Sequence, residues 1–237
     1  MAHLDRYSRQ TNILGDDGQE RLASARITIA GLGGLGSPAS TYLAEAGVGH
    51  LKIVDPDRVS ISDLNRQFLY TDEDVGERKS VIAQEALKMM NEEIKVESHS
   101  EKMDEKNLPD FIEGSDVVID CLDNWKARLA LNGACVEMSI PLVHGTVGGM
   151  FGQVTTIIPK ETPCLNCIFR ERVDETSVQV IGFAPGVIGS IQAGEAIKLL
   201  TGVGETLREK LLIVDLKYCS FETIKISRDI GCGICGD

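Results

Sequence analysis

The stretch Arg26-Ile27-Thr28-Ile29-Ala30-Gly31-Leu32-Gly33-Gly34-Leu35-Gly36-Ser37 decides the fold. Arg26–Ala30 is a short β-rich run, and it ends abruptly in glycines. Gly31, Gly33, Gly34 and Gly36 form a G-x-G-x-x-G turn that opens a helix expected over residues 37–46. Such glycines permit a tight turn and let backbone N–H groups approach a pyrophosphate at a helix start. Residues 51–54 read as the next strand, ending at Asp55, where a carboxylate can accept hydrogen bonds from ribose hydroxyls. A Gly-rich turn that merely packs helix on strand would not also need Asp55 in register. The loop alone leaves NAD and ATP both open.

Outward from this unit the alternation continues. Residues 79–91 carry Ala83, Leu87 and Met90 at helical spacing. Strands are expected at 94–97, 116–119 and 141–143, with a helix at 125–138. Repeated strand–helix units predict an α/β, Rossmann-like fold with a mostly parallel sheet and helices on both faces. Beyond residue 150 the rhythm changes: a strand at 151–158, a long apolar helix at 187–200, and a closing antiparallel pair at 211–214 and 223–226. The expectation is one domain over residues 1–237, with an N-terminal arm at 1–15 and a tail at 229–237.

The chain has 237 residues and a formal net charge of −12, which disfavours a nucleic-acid binder because phosphates need a basic face. No apolar stretch approaches the ~20 residues that span a bilayer, and the first residues lack a signal-peptide core, so a cytoplasmic protein is expected. Of seven cysteines, four form Cys164-x-x-Cys167 and Cys232-x-x-Cys235. Two such pairs supply the four thiolates of a closed tetrahedral zinc site, and favour metal over disulfides or redox chemistry. Cys121, Cys135 and Cys219 lie in apolar stretches and read as core residues.

The remaining signal lies in charged residues. Arg6-Tyr7-Ser8-Arg9-Gln10 stands near the start, Val59-Ser60-Ile61-Ser62-Asp63-Leu64-Asn65-Arg66-Gln67-Phe68 follows Asp55, then come Lys79 and Asp120-Cys121-Leu122-Asp123-Asn124. From about Arg6 to Cys235 this set resembles the ThiF/MoeB/HesA family, prokaryotic relatives of the ubiquitin-activating enzymes, and most closely its MoeB-type members. The resemblance implies an adenylyltransferase that uses ATP and magnesium to activate the C-terminal glycine of a ubiquitin-fold sulfur-carrier protein ending in Gly-Gly. It implies that Arg66 and Lys79 clamp phosphate oxygens, Asp123 holds magnesium and Asn124 helps position the nucleotide. Asp55, Asp63 and Asn65 fall with the glycine loop among the nucleotide-site positions. Arg9 matches an arginine that reaches the partner subunit's site, which implies a homodimer, and the cysteine pairs match a structural zinc site.

Each residue also has a plainer reading. A single Arg or Lys is usually a solvated charge, and Asp123-Asn124 could be the cap of the helix beginning at Trp125. Asp63 departs from the family's usual Asn, and a carboxylate there is expected to face magnesium or pair with a nearby arginine. Some relatives form a thioester or persulfide on a cysteine after the first pair, but residues 168–218 contain none, and Ser177 stands where one is expected. That favours acyl-adenylate formation alone, with sulfur supplied by a separate donor protein. His144 is read as structural, and Gly148-Gly149 as a place where a glycine tail could run close to the backbone. The competing readings are an NAD-dependent oxidoreductase, which leaves Arg66, Lys79, Asp123 and the cysteines unexplained, and a non-catalytic nucleotide-binding scaffold for a ubiquitin-fold partner.

Overall fold

A computed structural model describes residues 6–169 and 179–236. Ser177 and its neighbours at 175–178 lie outside the described residues. Eight strands form one sheet in the order β3-β2-β1-β4-β5-β6-β7-β8. They are β1 (Arg26–Ala30), β2 (His50–Val54), β3 (Lys95–His99), β4 (Val117–Asp120), β5 (Leu142–Gly148), β6 (Phe151–Ile157), β7 (Lys210–Asp215) and β8 (Ser220–Lys225). The first five pair in parallel and the rest antiparallel. The mostly parallel α/β architecture read from the sequence is therefore the one observed.

The helices are α1 (Ser8–Ser24), α2 (Gly36–Glu45), α3 (Lys79–Met90), α4 (Leu108–Ile112), α5 (Trp125–Glu137), α6 (Leu165–Ile168) and α7 (Phe183–Thr201). Strand alternation splits the core in two. Ile27 and Ile29 of β1 join Leu43, Leu87 and Ile188 on one side, while Ala30 joins Phe111, Leu131 and Leu165 on the other. Helices α2, α3 and α7 cover the first side; α4, α5 and α6 cover the second.

Residues 8–15 of the N-terminal arm are helical, and α1 kinks at Gly15, whose φ of +73° lies in the left-handed region. Three expectations change. Helix α7 begins four residues earlier than expected, at Phe183. β8 is the strand Ser220–Lys225 rather than 223–226, and almost all of it is exposed. Cys121 and Cys135 are buried as expected, but Cys219 is exposed in the turn before β8 with a φ of +52°. It is not a core residue.

Candidate nucleotide site and cysteine cluster

The order 3-2-1-4-5 puts a topological switch between β1 and β4, the place where open α/β sheets form a ligand crevice beyond their carboxyl ends. The glycine loop lies there. Gly31 has φ +94°, and a Cβ on it would stand 2.7 Å from the Cys121 carbonyl oxygen, so the two loops meet. A side chain at Gly36 would collide with the Gly31 carbonyl. The close turn thus requires glycine at both ends.

Asp55 is buried, and its carboxylate shapes the loop. Oδ2 accepts the Leu32 N–H at 2.7 Å and Oδ1 the Asp57 N–H at 2.8 Å. Burial pushes its pKa up, against those two N–H groups and the Lys79 charge. Lys79, the first residue of α3, is buried as well, with Nζ 3.3 Å from Asp63 and 3.7 Å from Asp57.

Asp63 is the hub of the cluster. It accepts from the Ser60 N–H and hydroxyl at 3.0 Å, from Gln67 Nε2 at 2.9 Å and from Arg66 at 3.2 Å. Burial would raise its pKa, but the Ser60 N–H and the Lys79 charge outweigh that and hold it below the ordinary value. The expected contact of Asp63 with a nearby arginine is present, to Arg66. Arg66 also donates to the Ser62 carbonyl at 2.6 Å and to Asn65 Oδ1 at 3.0 Å. The cluster abuts the loop: a Cβ at Gly33 would lie 3.6 Å from Gln67 Nε2, and one at Gly34 3.6 Å from Arg66 Cγ.

The structure thus gathers the four loop glycines, Asp55, Asp63, Asn65, Arg66 and Lys79. Asp123 and Asn124 occupy the neighbouring loop after β4 and are exposed. Asn124 caps α5, its Oδ1 accepting the Ala127 N–H at 2.9 Å, and its Nδ2 donates to Asp123 at 3.2 Å. Arg9 is exposed on the first turn of α1, whose neighbouring residues are held elsewhere: Gln10 donates to the Ala46 carbonyl, and Asn91 to Tyr7. Asp57 and Gln67 have no role in the sequence reading. Only the Asp55-x-Asp57 spacing signals the first, and Gln67 acts through Asp63. Nor does the sequence announce Pro185, against which Gly34 packs, or Gly182, where a side chain would strike the Asn65 carbonyl.

Behind the crevice, His144 Nδ1 lies 2.6 Å from Asp120 Oδ2, both fully buried. Burial lowers the His144 pKa, whereas Arg128 and His144 outweigh burial at Asp120 and lower its pKa. The pair is a fully buried carboxylate–imidazole contact.

Cys164, Cys167, Cys232 and Cys235 converge, with all four sulfurs within 4.8 Å of one another. Cys164–Cys232 is 3.7 Å and Cys167–Cys235 3.4 Å, well beyond a disulfide bond. Tetrahedral zinc with ~2.3 Å bonds spaces its sulfurs roughly 3.8 Å apart, so the donor set and its spacing fit zinc. The Asp229 N–H approaches Cys167 Sγ at 3.5 Å, the kind of donor that supports a metal thiolate.

The family model described as the ThiF family matches residues 7–234. The chain belongs to the ThiF family. Within it, the chain is 42% identical to the molybdopterin-synthase adenylyltransferase of Escherichia coli, over 98% of this chain and 96% of that one. It is 41% identical to the SAMP-activating enzyme E1 of Haloferax volcanii, over all of this chain and 90% of that one. It is 38% identical to the sulfur carrier protein adenylyltransferase of Thermus thermophilus, over 99% and 91%. The crystal structure of E. coli MccB superimposes with a TM-score of 0.90 over 98% of this ThiF-family chain and 75% of that chain, at 22% identity, a likeness of fold. Among the described residues no helix is long and apolar enough to cross a membrane.

Proposed function

We propose that this ThiF-family protein is an ATP-dependent adenylyltransferase that converts the C-terminal glycine of a ubiquitin-fold sulfur-carrier protein into an acyl-adenylate. Family membership and the adenylyltransferase names of its relatives support the reaction class. The observation that carries the reading to these residues is the Lys79–Asp63–Arg66 cluster at the glycine loop. An oxidoreductase reading gives this cluster no work, and the relatives named above are not oxidoreductases.

The chemistry asks for little base catalysis. A carboxylate oxygen of the carrier attacks the α-phosphorus, a phosphorus–oxygen bond forms, the bond to the β-phosphate bridge breaks, and pyrophosphate leaves with its electron pair. The barrier is charge: an anion approaches an anion while a third departs. Loop N–H groups receive phosphate, Asp55 orients the ribose, and Asn65 and Asn124 flank the nucleotide. Arg66 offers a planar donor fork and Lys79 a point charge to the phosphates. Asp123 presents an exposed carboxylate suited to magnesium, which, when bound, neutralises phosphate charge. Asp63 is committed to Ser60, Gln67 and the two cations, so it sets their aim rather than holding metal.

Arg9 projects on α1 as a residue for the partner's site in a homodimer, and the missing cysteine at 168–218 leaves sulfur delivery to a separate donor protein. The protein acts in the cytoplasm as one domain over residues 1–237, in which the four cysteines hold structural zinc. Lys79→Ala tests the reading: it should abolish adenylate formation while leaving any NAD binding untouched. Retained adenylation by that variant would contradict the assignment.

A further inference from the structure

Helix α5 touches both the nucleotide crevice and the cysteine cluster. Arg128, in its second turn, donates to the Gly145 carbonyl at 3.1 Å and also to the Leu122 carbonyl, gripping the turn that carries Asp123 and Asn124. One turn on, Asn132 is fully buried, and its Oδ1 accepts the N–H of Leu165 at 3.0 Å, the residue directly after Cys164.

The other half of that amide has no such partner. Asn132 Nδ2 is buried without a hydrogen bond among the described residues. Its Oδ1 fixes the amide against the residue next to Cys164, which leaves this unpaired donor beside the cysteine segment. A metal thiolate is the acceptor that would satisfy it. A second link runs through aromatic rings. Phe169, just past α6 and its Cys167, packs on Trp125 at 4.9 Å between ring centroids, and Trp125 follows Asn124 directly. The Arg128 guanidinium lies 5.5 Å from the centre of the same indole.

We propose that α5 couples the metal cluster to the nucleotide crevice. Asn132 Nδ2 donates to the Cys164 sulfur once it is a metal-bound thiolate, and the Phe169–Trp125 contact transmits the placement of the cysteine segment to the Asp123–Asn124 turn. The part concerning Asn132 rests on the cluster alone; the coupling to nucleotide rests on the function proposed above. Loss of zinc therefore loosens the turn that receives the nucleotide, and the enzyme reads its own metal occupancy.

Trp125 is the chain's one tryptophan and reports on this turn directly. Zinc-loaded protein is mixed with a chromophoric chelator, and metal release, Trp125 emission and ATP binding are followed. Asn132→Asp keeps an acceptor for the Leu165 N–H but removes the Nδ2 donor, and should speed zinc release about tenfold or more. Asn132→Leu, which buries no charge, should change release in the same direction. In the unsubstituted protein, zinc removal should shift Trp125 emission and weaken ATP binding at least about fivefold. Phe169→Leu should keep the slow release and lose the emission shift.

Release at the original rate from a folded Asn132→Asp or Asn132→Leu protein overturns the Asn132 assignment. Identical emission and ATP affinity with and without zinc overturn the coupling. If zinc-loaded protein binds no ATP at all, the proposed function fails and takes the coupling with it, while the release rates still decide the role of Asn132.

Discussion

At the scale of single residues, Lys79 is a cation that burial should expel, kept in place by Asp63 and Asp57. Replacing Asp63 by Asn leaves Lys79 half-paired, at a cost of about 1–3 kcal/mol. It also lets Arg66 settle on Ser62 and Asn65, its other partners. The expected result is several-fold weaker ATP binding at saturating magnesium; tighter binding would show that Asp63 opposes the phosphates instead of aiming the cations. Because its folded pKa lies below the ordinary 3.8, Asp63 stabilises the fold above that value, and the contribution disappears as pH falls through the lower folded value. The stability gap between the parent protein and Asp63→Asn, measured by urea unfolding, should therefore be wide at neutral pH and close in acid. Arg66 and Lys79 were legible in the sequence only through the family resemblance, which matches the first within Ser62–Gln67 and the second at the helix start. Their partner Asp57 was not, because an acidic residue in a loop looks the same whether it is solvated or paired.

At the scale of elements, α5 shows how one residue can answer to two readings. Asn124 is its cap. Asn124→Ala should cost about 1 kcal/mol of stability, and Asn124→Asp, which can still cap, should restore it. If adenylation falls equally in both variants, the amide serves the nucleotide; if activity follows the melting temperature, the cap is its only task. The central strands were readable because β1, β2 and β4 are buried runs of Ile, Val and Leu between turn signals. Helix α1 was not, since Gly15 and Gly18 interrupt its sparse apolar residues and its hold comes from distant partners such as Thr201, whose carbonyl accepts from Arg21 at 3.1 Å. β8 and its antiparallel pairing were readable but its start was not: with both faces exposed at the sheet edge, it shows no alternation to mark where it begins.

At the scale of the whole molecule, the cysteine cluster ties α6 to a tail 68 residues away in sequence. A cross-link closing a loop of that length removes unfolded-chain entropy equivalent to roughly 4 kcal/mol, the upper bound for what zinc supplies through chain closure. Chelation should lower the melting temperature accordingly, with zinc and not magnesium restoring it; an unchanged melting curve after complete metal removal would contradict a structural role. The sequence announced the two pairs by spacing alone, but only the fold shows that they meet. The central claim, activation of a carrier's C-terminal glycine, is tested most directly by ATP–pyrophosphate exchange with the purified protein and each small Gly-Gly-ending ubiquitin-fold protein of its genome. The prediction is exchange that depends on one carrier and vanishes when its last glycine is deleted; ATP binding with no exchange toward any carrier would contradict it and leave a nucleotide-binding scaffold.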